Sequence, residues 1–424
     1  MNAPETARAM TVPKVSRLRS NFLAMMVWQV GNYLVPLATF PYLTRVLGAA
    51  QFGVLGYATA VATYGLIVTE WGFFLSGPKA VVERRGQPEA LNELVWSTMA
   101  AKACLCNTQI DRKLAAVYPV LLAAWLTVFG SVFTLNWLLQ GLERFSVFAT
   151  VALAGRFSAL PLTFVFVRHS GDVVFAAGIQ GSAAVLTGLF SLIAAWRLGV
   201  LHRPCVSARS VRQRIRESAD MFVSSASVSL FGVTNAVILA AMTTPYQVGV
   251  YTAADKLKTV ANMVPAQINT VCYPRIASLF TAQPRSAARL TVLGAVATVV
   301  TTIAGATVIG YIAAPLTTLI LGAGYAGSAS LLRLLCLVTV FGNLAYFLGL
   351  QVLVPFGRAR SRSWSMLAVG VLNVGLAIVL TPRFGAEGAA WSLLVAEAVL
   401  LAIYVSMILS RSSLRNHFTQ LLSR

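Results

Sequence analysis

The sequence predicts an all-α integral membrane fold of about twelve transmembrane helices arranged as two six-helix bundles. Three observations predict it: a nearly unbroken succession of apolar stretches, an alternation of basic and non-basic connections, and a repeat relating the two halves. A helix of about 20 apolar residues crosses about 30 Å of hydrocarbon while satisfying its own backbone hydrogen bonds. Hydrophobic residues make up 57% of the chain and charged residues 11%, and the mean hydropathy is +0.75. A soluble domain carries about 25% charged residues.

The apolar stretches place spans at 21–44, 52–75, 92–109, 114–139, 145–167 and 173–196, then at 218–241, 250–273, 287–312, 328–354, 363–381 and 386–409. Pro36 in the first span and Pro265 in the eighth cannot donate a backbone hydrogen bond, and each predicts a bend. The third span is the weakest, carrying Lys102, Asn107 and Gln109 ahead of Asp111-Arg112-Lys113. The connections are short, leaving no room for an extramembrane enzyme domain. The longest, 197–217, holds Arg197, Arg203, Arg209, Arg212, Arg214 and Arg216 among Val206, Val211 and Ile215. It reads either as a basic amphipathic helix on an anionic leaflet or as a solvated linker. The chain therefore divides into a first bundle over 1–200, a basic cytoplasmic linker over 201–217 and a second bundle over 218–424. No cleavable leader pattern precedes the first span.

The net charge of +20 would suggest nucleic acid as a partner of a soluble protein. Here the charge is better explained by topology. Segments on one side hold Arg8, Lys14, Arg17 and Arg19, then Lys79, Arg84, Arg85 and Arg144, the linker arginines, and groups around Arg285, Arg360 and Arg415. Segments on the other hold only Arg45, Arg112, Lys113, Arg168 and Arg383. The positive-inside rule then places both termini in the cytoplasm. With no soluble domain to present the charge, nucleic acid is excluded and membrane lipids are the expected neighbours.

A shift of 196 residues lays Gln51-Phe52-Gly53-Val54 on Gln247-Val248-Gly249-Val250 and Pro78-Lys79 on Pro274-Arg275. Gly141 to Arg144 echo Gly357 to Arg360 more weakly, at a spacing that leaves the first half about twenty residues short near its third and fourth spans. Six spans per half make these parallel repeats, a build in which transporters hold substrate between the halves.

Charged groups within spans are costly and usually face a partner, a cavity or the interface. Asp255, Thr259, Asn262, Ala266 and Asn269 share one face of span eight, with Lys258 within reach of Asp255. Span two shows Thr59, Thr63 and Glu70, and span one Gln29, Asn32 and Pro36. Helix–helix hydrogen bonding is an equal reading of the Asn, Gln and Thr positions. For Lys102, Arg156, Lys256, Lys258 and Arg333 two readings stand, snorkelling to the interface or lining a wet passage; the depth of Arg156 and Arg333 favours the passage. A cationic lumen suits an anionic cargo, phosphate above all. Catalysis finds no support: the three histidines are scattered, and zincin, nucleophile-elbow and Walker patterns are missing. The five cysteines include Cys104-x-Cys106, which lacks the partners of a zinc site. No metal or cofactor is expected.

These residues resemble the polysaccharide flippases, for O-antigen and exopolysaccharide, of the multidrug/oligosaccharidyl-lipid/polysaccharide exporter superfamily. The likeness lies in Phe40 to Gly48 with Gln51-Phe52-Gly53, in Gln140 to Phe145, in Val248 to Lys256 with Tyr273-Pro274-Arg275, and in Phe384 to Ala390. The resemblance implies a V-shaped transporter in the bacterial inner membrane. Its cargo would be an undecaprenyl-pyrophosphate-linked oligosaccharide, with a polysaccharide polymerase and a chain-length regulator as further partners. Arg45, Lys102, Arg156, Lys258, Asn262 and Arg333 are then the candidate substrate ligands, and Glu70 and Asp255 the candidates for ion coupling. The alternatives are a cation-coupled multidrug exporter of the same superfamily, a lipid II flippase, for which two spans are lacking, and an enzyme, a polysaccharide polymerase or ligase, for which the loops are too short.

Overall fold

Hydrocarbon offers no partner to a free amide, so a chain that crosses it does so as helix or closed barrel. The computed structural model describes residues 15–106 and 117–410, and among the described residues every regular element is helical. Asn107, Gln109, Asp111, Arg112 and Lys113 of the sequence reading lie outside the described residues, as does Arg415. The first half contains α1 (Val15–Glu70), α2 (Phe73–Glu83), α3 (Pro88–Cys106), α4 (Tyr118–Phe133), α5 (Asn136–Gly141), α6 (Phe145–Phe166) and, after a 3-10 turn, α7 (Val173–Arg197). The second contains α8 (Ala208–Gly232), α9 (Thr234–Met242), α10 (Pro245–Ala261), α11 (Met263–Ala282), α12 (Pro284–Tyr311) and α13 (Ala313–Leu321). It closes with α14 (Ser328–Phe347), a π-helical turn (Leu348–Leu353) and α15 (Ala359–Leu409).

Within the described residues, each of the twelve expected spans falls mainly on helix. Seven helical stretches among those residues are long and apolar enough to cross a membrane. Those that include α1 and α15 each hold two expected spans, joined where Gly48 (φ 68°) and Gly385 (φ 57°) leave helical geometry. A side chain at either would be strained, which is why glycine closes both reversals. Spans three, seven and eight fall outside the seven because their polar residues dilute the hydropathy. They are α3, α8–α9 and α10–α11.

Three details differ from the sequence reading. The break in span eight comes at Asn262 rather than at Pro265. Proline disturbs the turn before it, lacking the N–H that would bond the i−4 carbonyl and crowding that carbonyl with its ring; here this is Ala261. α1 stays helical through Pro36 and Pro41 and breaks only at Gly48. α8 starts ten residues before its expected span, with Ser207 Oγ accepting from the Ser210 amide at 3.0 Å. The second part of the basic segment therefore continues into the spanning helix.

Within the first half, α4 packs on α7, α6 on α7, and α1 on α4 and α6; in the second, α12 packs on α11 and α14, and α14 on α15. The halves meet chiefly where the second part of α1 crosses α10. A Cβ built on Gly53 would lie 1.8 Å from the Pro245 carbonyl oxygen, and one on Gly249 would lie 1.8 Å from that of Ala49. Positions 49 and 245, like 53 and 249, are related by the 196-residue shift, so the contact is a local two-fold. The repeat in the sequence is also a packing axis.

Candidate functional site

The polar residues of span eight converge on the second half. A cavity of about 290 Å³ lies among α8, α10, α14 and α15, bounded by Lys258, Asn262, Asn343, Arg362, Glu397 and Tyr404. A second, of about 470 Å³, shares Asn262 and Asn343 and extends along α11 past Asn269 and Thr270 to Tyr273. The helix break at Asn262 splits the expected polar face, yet Asn262 and Asn269 still line one cavity. The Asn343 amide donates to Asn262 Oδ1 at 3.0 Å and to Thr302 Oγ1 at 3.2 Å, tying α14 to α10 and α12. Lys258 Nζ lies 2.6 Å from Asp255 Oδ1, with 14% of the lysine side chain exposed. The i,i+3 spacing delivers the pairing expected of these two residues.

The other cations are held in different ways. Lys102 is buried inside the first half, where its ammonium donates to Glu70 Oε1 at 2.8 Å and to the Ser131 and Thr134 carbonyls at 3.1 and 3.4 Å. All three of its donors are used, two of them on carbonyls at the end of α4, where the Ser131 oxygen also accepts from the Thr134 amide. Glu70 and Lys102 thus form one ion pair between α1 and α3. Arg156 is exposed at the middle of α6 and donates to the Asn32 carbonyl of α1 at 3.2 Å. Arg333 is exposed one and a half turns into α14, its Nε donating to the Gly310 carbonyl at 3.1 Å, near the end of α12. Arg45 is exposed beside Gly48 and donates to the Leu319 carbonyl of α13, in the other half.

Arg45 belongs to a set of contacts between the halves at the Gly48 end. The Tyr325 hydroxyl donates to the Thr44 carbonyl at 3.0 Å, and the Tyr325 ring meets Phe52 edge-on. At the opposite end, α8 docks on the α1–α2 elbow. There Trp71 Nε1 donates to the Ile215 carbonyl at 2.9 Å, the Trp71 ring stacks on Phe222 at 4.0 Å, and Ser76 and Ser218 share a 2.7 Å hydrogen bond. Trp71 has φ 41°, a left-handed backbone that a bulky residue adopts only when its surroundings demand it.

The site also contains residues that the sequence reading did not select: Glu397, Arg362, Asn343 and Tyr404. Glu397 left a usable signal, as the lone charged residue between Glu387 and the end of α15. Arg362 was counted only as a topology residue. Asn343 and Tyr404 look in the sequence like any polar group in an apolar helix.

Residues 18–280 match the model of a family described as polysaccharide biosynthesis protein. The chain belongs to that family. Over 408 residues this family member is 26% identical to a protein of Escherichia coli (strain K12) named "Putative O-antigen transporter", covering 92% of this chain and 96% of that one. A protein of the same name from Shigella dysenteriae is 23% identical over 393 residues, covering 91% and 98%. Among solved structures, the lipid II flippase MurJ in an inward closed conformation aligns with a TM-score of 0.74 at 10% identity, over 95% of this chain and 91% of that one. An inward-facing MATE multidrug resistance transporter of the MOP superfamily aligns with a TM-score of 0.68 at 16% identity, over 90% and 99%. At those identities the structural likeness shows the fold alone, an all-α, multi-pass membrane architecture.

Proposed function

We propose that this protein is a flippase that turns an undecaprenyl-pyrophosphate-linked oligosaccharide, an O-antigen or exopolysaccharide repeat unit, across the bacterial inner membrane. The two halves, 1–200 and 218–424 joined through 201–217, rock about their contact, so that the passage between them opens to one leaflet at a time. The observation that carries the reading is the manner of that contact. Gly53 and Gly249 meet backbone to backbone on a local two-fold at one end, a close approach of two helices about which the halves can turn. The glycan cargo is supported by full-length relatives named as O-antigen transporters. The basic-residue asymmetry supports an orientation with the Gly48 end outside and both termini inside.

In this reading the cations meet the pyrophosphate at successive depths, Lys258 and Arg156 within the bilayer, Arg45 and Arg333 near the outer end. Asn262 and Tyr346 offer hydrogen bonds to sugar hydroxyls along the second cavity. Lys102 falls away as a ligand because Glu70 and the α4 carbonyls already occupy it. The test is export in cells whose own gene is deleted and replaced by Arg156→Ala or Arg333→Ala. A lost charged hydrogen bond is worth about 1.5–3 kcal/mol, so export is expected to slow about tenfold or more while lipid-linked glycan accumulates on the inner leaflet. Undiminished export by both variants would remove the cationic passage.

A further inference from the structure

The mechanism above leaves Glu397 unused. Its carboxyl group borders the 290 Å³ cavity, pressed against α14 with its carbon 3.2 Å from where a Cβ on Gly342 would sit. Among the described residues it takes no hydrogen bond and no ion pair. Lys258, on the facing helix α10, is the charge that acts on it, yet that ammonium is already committed to Asp255. The remaining titratable groups around the cavity are few. α14 brings Tyr346 and, close to Lys258, Cys336; α15 itself brings Arg362 and Tyr404. α8, α9 and the π-helical turn bring none. Arg362 Nε is buried without a hydrogen-bond partner among the described residues; its guanidinium is a second cation at the cavity and, being a donor only, takes up no proton.

A half-buried carboxylate that no donor reaches, opening on a cavity inside a membrane-spanning bundle, is costly to keep as an anion. It has two escapes: it takes up a proton, or it draws a cation to itself. We propose that Glu397 is a proton-binding site and that Lys258 is its movable counter-charge. This rests on the transporter reading and specifies the coupling ion within it. With a proton transferred from hydronium to a Glu397 oxygen, the carboxyl is neutral and Lys258 stays on Asp255. When that proton returns to water, the anion attracts the ammonium, and Lys258 moves from Asp255 toward Glu397. Lys258 sits on α10, the helix whose Gly249 forms the contact between the halves, so the exchange pulls on the element that must move. A metal cation fits this site poorly. It would compete with two cations that the chain itself brings to the cavity, Lys258 and Arg362.

The full-length protein, reconstituted in liposomes, decides it with two readouts. Translocation of a pyrophosphate-linked fluorescent glycan is expected to rise about tenfold under an imposed pH gradient, within the usual range of coupling free energies. That response is expected to vanish in Glu397→Gln and to survive in Glu397→Asp. Independently of transport, infrared difference spectra of the purified wild-type protein should show a carboxylic-acid C=O band that titrates and is missing in Glu397→Gln. An unchanged gradient response in Glu397→Gln, stimulation by a sodium gradient at equal pH, or no titrating carboxyl band in the wild type would each overturn the proposal. Absence of translocation with the band present would overturn the flippase reading and leave the proton site standing.

Discussion

Lys102 shows how a charge survives in an apolar bundle. Its side chain is 1% exposed, and it reaches Glu70 at 2.8 Å, a residue 29% exposed on α1. Removing one partner of a buried pair leaves the other uncompensated and costs about 3–5 kcal/mol, whereas replacing both with apolar groups is nearly neutral. Glu70→Gln is therefore expected to lower the thermal midpoint of the detergent-solubilised protein, and adding Lys102→Met is expected to restore most of it. If Glu70 instead served ion coupling alone, the single variant would keep its midpoint and lose transport. The depth of Lys102 was legible in the sequence as a charge within a weak span. Its partner was not, because the two lie 32 residues apart on different helices and nothing local joins them. The same holds for Arg333, whose depth in the sequence suggested the passage; it lies beside the end of α12, where an interfacial cation also settles.

At the scale of helices, the contact of α1 with α10 leaves no room for a methyl group. A Cβ on Gly249 meets a carbonyl oxygen at 1.8 Å, and Gly56 faces Thr252 across the same local axis, with a Cβ contact of 2.9 Å. Gly53→Ala and Gly249→Ala are expected to part the halves at the Gly48 end. A cysteine placed at Ala49 should then react faster with a membrane-impermeant thiol reagent, while glycan export falls. Equal reactivity in both backgrounds would show that the contact is not a seal. Helix positions were legible because twenty-residue apolar runs have one physical use, and the glycine pairing was foreshadowed by the 196-residue repeat. The breaks were less so. Proline acts on the turn before it, so the bend of span eight appears at Asn262, and nothing near Pro36 forces a break at all.

For the molecule as a whole, the polar groups are distributed unequally. The second half holds the two cavities described above, the Asp255–Lys258 pair and Glu397, while the buried Lys102 of the first half is bonded within its own bundle. Proton chemistry is then expected in the second half, with Arg45 and Arg156 as the first half's contribution to the pyrophosphate path. That inequality was hidden in the sequence, where both halves show polar residues at similar helical spacing and only three-dimensional packing separates satisfied groups from available ones. The central claim concerns cargo, and one measurement addresses it most directly. Purified protein in liposomes is given a fluorescent polyprenyl-pyrophosphate oligosaccharide in one leaflet, and its arrival in the other is followed by quenching with an impermeant reductant. The expected result is translocation well above protein-free liposomes, lost when the pyrophosphate is replaced by a neutral linker. Translocation no faster than in protein-free liposomes, together with efflux of cationic drugs from the same vesicles, would contradict it.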